Sequence, residues 1–369
     1  MRIVLTGGGT GGHIYPLVAV ARRIKEKIGE GAEFLFVGPD GKFEKEAMAK
    51  ENIPSKIITA GKVRRYFALA NFFDPFKTFF GFLQSLWILL WYMPDGVFSK
   101  GGYASVPVVI AAWFYRIPVL IHESDAIPGS ANRVLDSFAK RIAYSYPTVQ
   151  RYFPTSKLLL TGNPVREDLL GGSTEEAGKK YNLFESKPVI LVLGGSQGSK
   201  TINETIVKLI PQLIHKYQII HQTGEDNYEE VVHKAGTLGF KAGREGYFPI
   251  AFMDSNGLRD ALAVANLVIS RAGANAISEI AAYGKPSILI PLSSAANNHQ
   301  QMNAFELASI GAAVALEENN LGEHLLMEKI NMLLDNNELA NQMAEKIKVF
   351  YHPDAAEKIT EGLLDLIEN

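Results

Sequence analysis

Three turns of small residues, each lying between an apolar run and a helical pattern, hold the side chains best placed for chemistry. The first is Gly7-Gly8-Gly9-Thr10-Gly11-Gly12, followed by His13. Ile3, Val4 and Leu5 precede it as a short buried strand, and apolar periodicity from Leu17 to Ile24 predicts a helix opening near Pro16. The second turn is Gly194-Gly195-Ser196-Gln197-Gly198-Ser199, after Val189–Leu193 and before a helix carrying Ile202, Ile206 and Leu209. The third, Ser270-Arg271-Ala272-Gly273-Ala274, runs on to Glu279. A strand that ends in such a turn and continues as a helix aims backbone N–H groups at an anion such as phosphate. A tight turn with no ligand is the plain alternative. The Ser196 hydroxyl adds a donor, and Ala272, Gly273 and Ala274 leave room for a diphosphate on a helix N-terminus. A carboxylate at Glu279 suits the two hydroxyls of a ribose; an exposed helix glutamate is its bland counterpart.

Other residues supply acid–base and hydroxyl-binding chemistry. His13 titrates in the range that suits a general base, although a histidine bonded to backbone explains it too. Asn297 to Asn303 form a run of amides (with Gln300 among them) able to donate and accept at sugar hydroxyls. Arg166, in Gly162-Asn163-Pro164-Val165-Arg166, offers a guanidinium for phosphate. Lys100-Gly101-Gly102-Tyr103 and His122-Glu123-Ser124-Asp125 both follow strands, at the carboxyl ends where open α/β sheets place ligands. There is no Asp-x-Asp pair and no His/Glu cluster at ligand spacing, so no metal site is expected. The spacing Gly7-x-Gly9-x-x-Gly12 also fits a dinucleotide fingerprint. The acidic partner that reading needs is poorly served by Asp40, set between Pro39 and Gly41, so a nicotinamide-dependent oxidoreductase is the weaker alternative.

The elements that position these residues alternate. Phe34–Val37, Gly96–Ser99, Val119–His122 and Leu158–Thr161 read as strands followed by helical patterns. A second series starts at Pro188 and runs through YQIIHQTG, LVISRAG and SILIPL. This is the pattern of parallel βαβ units. At 369 residues two domains are expected, 1–163 and 164–351, with a last helix from about 352 to 369. Lysine and arginine number 37 against 39 aspartates and glutamates, so no basic excess points to nucleic acid. The chain has no cysteine, which removes disulfides and thiolate chemistry. No secretory leader is expected, since the first strand begins at once.

Residues 66 to 92 hold eleven aromatics. On a helical wheel Phe76, Phe80, Leu83, Trp87 and Leu90 form one stripe; Phe79, Phe82, Leu86, Leu89 and Met93 form a second. Together they are wider than a helix lying on a core needs. The apolar run is too short to span a bilayer. A deeply buried helix is one reading. The other has one stripe on the core and the second, with Phe79, Phe82 and Leu86, at a membrane interface, where the cations Lys62, Arg64 and Arg65 would favour anionic lipid.

Taken in order, GGGTGGHIYP, KGGYASVP, HESDAIPGSAN, TGNPVR, GGSQGS, SRAGANAISEI, GKPSILIPL and NHQQMNA resemble the motif set of glycosyltransferase family 28, the MurG-type N-acetylglucosaminyltransferases of peptidoglycan synthesis. The resemblance runs from residue 1 to about 310. It implies an α/β fold of two Rossmann-like lobes facing a cleft (GT-B), with the last helix crossing back to the first lobe. It also implies inverting transfer of N-acetylglucosamine from UDP-N-acetylglucosamine to the C4 hydroxyl of a lipid-linked muramoyl-pentapeptide, at the cytoplasmic side of the cell membrane. That step serves cell-wall biogenesis, cell shape and division. By motif, Thr10, Gly11 and Gly12 would line the donor sugar, and Arg166 and Ser196 would contact UDP. Glu279 would hold the ribose and Gln300 the sugar hydroxyls, with Asn303 close by and Met253 at the uracil. Asp125 stands where many relatives carry a donor-contacting asparagine. The aromatic segment corresponds to the family's membrane-docking patch. UDP-N-acetylglucosamine would be a substrate, no resident cofactor or metal is implied, and His13 is the candidate base. A non-catalytic nucleotide-sugar binding protein is a further alternative.

Overall fold

A computed structural model describes residues 1–8, 11–61, 70–195 and 197–368. Thr10 and Ser196, and the cations Lys62, Arg64 and Arg65, lie outside those residues. The chain divides into two compact units, Met1–Arg166 with His352–Asn369, and Glu167–Tyr351.

In the first unit seven parallel strands form one sheet. They are β1 (Arg2–Thr6), β2 (Glu33–Gly38), β3 (Ser55–Ile57), β4 (Gly96–Ser99), β5 (Val119–Glu123), β6 (Arg141–Tyr144) and β7 (Leu158–Leu160), in the order β3-β2-β1-β4-β5-β6-β7. Parallel strands buried on both faces read as unbroken apolar runs, as Ile3–Leu5 and Val119–Ile121 do. The order reverses between β1 and β4, so the turns after those two strands open the crevice in which such sheets bind ligands. The closing helix, Ala355–Glu368, belongs to this unit. Ile359 and Leu363 are fully buried against Ile3, Leu5 and Phe98, and its outer edge pairs Glu357 with Arg23 and Lys27.

The second unit repeats the plan with β8 (Val189–Leu193), β9 (Gln218–Gln222), β10 (Tyr247–Ile250), β11 (Leu267–Ser270), β12 (Ser287–Leu289) and β13 (Val314–Ala315), in the order β10-β9-β8-β11-β12-β13. Every strand pair is parallel. Its switch point lies between β8 and β11, the strands that lead into the second and third small-residue turns.

Two expectations about helices need correction. The first helix runs Gly11–Ile28 and opens well before Pro16, which lies inside it. Proline lacks only the N–H that would reach the Gly12 carbonyl, a single bond in the opening turns, so the helix tolerates it there. The aromatic helix, Ala70–Tyr92, turns outward the stripe assigned to the core. Phe76, Phe80, Leu83, Trp87 and Leu90 are all exposed, whereas Phe82 and Leu86 are half-buried and Leu89 is buried. Of the three residues expected at a membrane, only Phe79 is exposed. The cause is a line of small residues. Gly81 and Ser85 face inward, the Ser85 hydroxyl donates to the Gly81 carbonyl (2.7 Å), and a side chain at Gly81 would collide with the Thr59 carbonyl. Close approach on that face rotates the bulky residues away from it.

Candidate functional site

The first unit's site is built on the turns after β1, β4 and β5. Gly102 has φ +89°, and a methyl group there would lie 2.7 Å from the Gly8 carbonyl and 3.5 Å from His13 Cε1. Glycine therefore lets the two turns touch and brings His13, half-buried in the first turns of its helix, against the β4 turn. Gly11 and Gly12 are helical already, so the first glycine turn is shorter than its sequence suggests. Arg166 stacks its guanidinium 4.2 Å from the centre of the Tyr15 ring, two residues beyond His13.

Beneath these turns lies a buried charged cluster. Lys100 is 3% exposed and its Nζ donates to Ser124 Oγ (2.8 Å). Burial pushes the lysine pKa down, while Glu123 and Asp125 oppose that push. The Glu123 carboxylate accepts from the backbone N–H of Asp125 (3.1 Å) and Gly129 (3.0 Å) and from Asn132 Nδ2 (2.9 Å). Burial and the neighbouring Asp125 raise its pKa, with Lys100 and Asn132 pulling the other way. Asp125, half-buried, is thereby held at the end of β5 by its own backbone.

In the second unit, the turn after β8 closes through Gly198 N–H to the Gly195 carbonyl (3.0 Å). Ser199 caps the helix Lys200–Lys216, its side chain accepting from Ile202 N–H. The helix Ala274–Ala282 opens at Gly273 with no side-chain cap, and a methyl at Gly273 would meet nothing within 4 Å. A glycine at the N-cap leaves the backbone of this helix start approachable, which suits an anion. Glu279 is half-buried on the same helix. Gln300 and Asn303 lie on the helix His299–Ser309. Asn303 is fully buried and donates to the Ala272 carbonyl (3.1 Å), so it braces the third turn from below. Gln300 Oε1 accepts from Leu292 N–H (2.9 Å) in the loop after β12. Met253 is buried just ahead of the helix Ser255–Val264, whose N-cap is Asp254.

Reading residues by type alone leaves out two side chains central to this edge. The Arg271 guanidinium donates to the Ile290 carbonyl (3.2 Å), to Ser199 Oγ (2.6 Å) and to Glu318. Glu318 also accepts from Ser293 N–H (3.1 Å) and Oγ (2.8 Å). An arginine directly after an apolar strand is a signal for a buried cation; Glu318, in a polar stretch far along the chain, carries none. Among the described residues no group of three or more His, Cys, Asp or Glu is placed to hold a metal ion, and no helix is long and apolar enough to cross a membrane. Asp40, the acid the dinucleotide reading needs, is exposed and paired with Lys45 (2.5 Å).

Two parallel sheets in Rossmann order, each with small-residue turns at its switch point and the last helix returned to the first unit, define a glycosyltransferase fold of the GT-B type. The glycosyltransferase family 28 N-terminal domain matches residues 3–144 and the glycosyltransferase family 28 C-terminal domain matches residues 189–359. The UDP-N-acetylglucosamine--N-acetylmuramyl-(pentapeptide) pyrophosphoryl-undecaprenol N-acetylglucosamine transferase of Clostridium perfringens (strain SM101 / Type A) is 41% identical over 338 residues, 91% of each chain. A protein of the same name, numbered 3, from Bacillus thuringiensis (strain Al Hakam) is 39% identical over 94% of this chain and 95% of its own. The crystal structure of Acinetobacter baumannii MurG superposes with a TM-score of 0.78 at 27% identity, covering 99% of both chains. The chain belongs to glycosyltransferase family 28.

Proposed function

We propose that this protein transfers N-acetylglucosamine from UDP-N-acetylglucosamine to the C4 hydroxyl of undecaprenyl-pyrophosphoryl-muramoyl-pentapeptide, with inversion at the anomeric carbon. The observation that carries this reading is 41% identity along 91% of the chain to a relative named for that reaction. The second unit takes the donor. Glu279 binds the ribose hydroxyls, Gln300 the sugar hydroxyls, and the Met253 backbone the uracil. The diphosphate rests on N–H groups at Ala272, Gly273 and Ala274, with the Ser196 hydroxyl and Arg166 as further donors. As the sugar leaves, negative charge grows on UDP, and donors fixed in advance stabilise it without reorganising. His13 takes the proton from the attacking hydroxyl, Thr10, Gly11 and Gly12 line the donor sugar, and Asp125 contacts it. UDP-N-acetylglucosamine is a substrate in this scheme and no resident cofactor or nucleic acid enters it. The protein works as a peripheral protein on the cytoplasmic face of the membrane, where its lipid-linked acceptor lies.

The test is a pair of measurements on the purified chain. UDP, and not NADH, raises the melting temperature, and radiolabelled sugar from UDP-N-acetylglucosamine passes into an organic-extractable lipid product. His13→Ala lowers turnover by about 10²–10⁴-fold while the KM for the donor moves far less. Stabilisation by NADH alone would return the chain to the oxidoreductases. Binding of the donor without any transfer would leave a nucleotide-sugar binding protein.

A further inference from the structure

The second unit places four loops, after β8, β11, β12 and β13, at the carboxyl edge of one sheet. One ion pair is bonded into all four. Arg271 stands on the β11 turn and Glu318 in the loop after β13, and both side chains are 11% exposed. Through Ser199, Arg271 holds the foot of the glycine turn after β8; through the Ile290 carbonyl it holds the start of the β12 loop. Through Ser293, Glu318 holds the next part of that loop, one residue beyond Leu292, whose N–H is bonded to Gln300. Next to Arg271, the Ala272 carbonyl is bonded to Asn303. Every segment proposed to touch diphosphate or sugar in this unit, the Met253 and Glu279 contacts apart, is therefore tied to the pair within one or two hydrogen bonds.

We infer that Glu318 is a positioning residue for donor binding: by holding Arg271 and Ser293 it fixes the spacing between the loops that take the diphosphate and the loop that carries Gln300. The inference rests on the UDP-sugar reading of the second unit. A buried ion pair is a weak source of net stability, because loss of water cancels most of the attraction, and apolar replacement of the whole pair is often neutral. It is an effective source of preorganisation, since each partner's remaining donors and acceptors are satisfied in one geometry. Burial pushes the Glu318 carboxyl up, but the hydrogen bonds from Arg271 and Ser293 outweigh burial and bring it to about 2, so the pair is charged throughout the physiological range.

The experiment uses the full chain carrying Glu318→Gln, and separately Arg271→Met with Glu318→Met. Glu323→Gln, at an exposed pairing with Lys208, serves as control. UDP affinity is read by calorimetry, alongside the KM for UDP-N-acetylglucosamine, the KM for a soluble acceptor analogue and the melting temperature without ligand. Loss of a charged hydrogen-bond partner predicts a rise of about tenfold or more in the UDP Kd and the donor KM, with the acceptor KM within about twofold. The Met/Met protein regains the wild-type melting temperature and still binds UDP weakly. Wild-type UDP affinity in either variant overturns the inference. So does a donor affinity that falls and recovers in step with melting temperature across the set, since that marks a fold contact only. If the wild-type protein itself ignores UDP, it is the UDP-sugar reading that fails.

Discussion

At the residue scale, the candidate site is held by side chains that do not advertise themselves. His13, Asp125 and the small-residue turns stand out in the sequence because glycine and histidine after an apolar strand have a direct chemical meaning. Lys100 and Glu123 fall inside segments that are legible as strand ends, yet their partnership is not, because it needs β4 and β5 side by side. Glu123 meets three donors from the loop it closes, two of them backbone N–H groups. A carboxylate has two accepting oxygens and an amide only one, so Glu123→Gln turns an NH₂ group toward donors. Leaving a buried donor unsatisfied costs about 1–3 kcal/mol, and this substitution strands at least one. Urea denaturation of Glu123→Gln is therefore expected to show a loss of at least about 1–3 kcal/mol, and Lys100 then keeps one fewer countercharge in a buried place. A variant as stable as wild type would mean that the Ser124–Gly129 loop is held by something other than this carboxylate.

At the element scale, long buried strands and the helices after the turns are legible from periodicity, whereas four strands are not. β3 and β13 are short, lie at sheet edges and are exposed or half-exposed, so they carry no apolar signature. β10 contains Pro249, which argues against a strand unless the strand is an edge, as it is here. β6, Arg141–Tyr144, opens on a charged, half-buried arginine and so lacks the unbroken apolar run of its neighbours. The aromatic helix shows a different limit. A wheel shows how wide an apolar face is but not which side packs, and that choice is made by Gly81 and Ser85. The exposed face, with Trp87 at 64% and Trp91 at 68%, is the one suited to a bilayer interface. Replacing Phe76, Phe80, Leu83 and Trp87 together by serine is expected to reduce co-sedimentation with anionic phospholipid vesicles several-fold while the melting temperature holds. Replacing Phe82 and Leu86 instead should lower the melting temperature. Unchanged sedimentation of the folded quadruple variant would remove the membrane role from this helix.

At the scale of the whole molecule, the two units share a device that governs their response to acid: a histidine buried near the carboxyl end of a strand and kept neutral. His221 on β9 is fully buried, with Nε2 3.0 Å from Asn203 Oδ1 and Nδ1 3.0 Å from the Tyr247 hydroxyl, and burial holds its pKa down at about 3. His122 on β5 has Nε2 3.0 Å from the Gly162 carbonyl, and burial and then the Lys100 charge hold it well below the usual range. Unfolding exposes both, and each then titrates at about 6.5. Below that pH the unfolded chain binds protons that the folded chain refuses, so stability falls as pH falls. For His221 the loss continues down toward pH 3, at up to about 1.4 kcal/mol per pH unit. Carboxylates act later. Glu318, brought to about 2, contributes stability that is present above the unfolded carboxyl range and lost between about pH 4.5 and 2. The urea midpoint is thus expected to drop between about pH 7 and 5, above the range in which the carboxylates of the unfolded chain titrate. His221→Gln should be less stable at neutral pH yet lose less on acidification, because its amide has no proton to gain on unfolding. A midpoint level from neutrality to pH 5 would show that the folded chain accepts protons at both histidines.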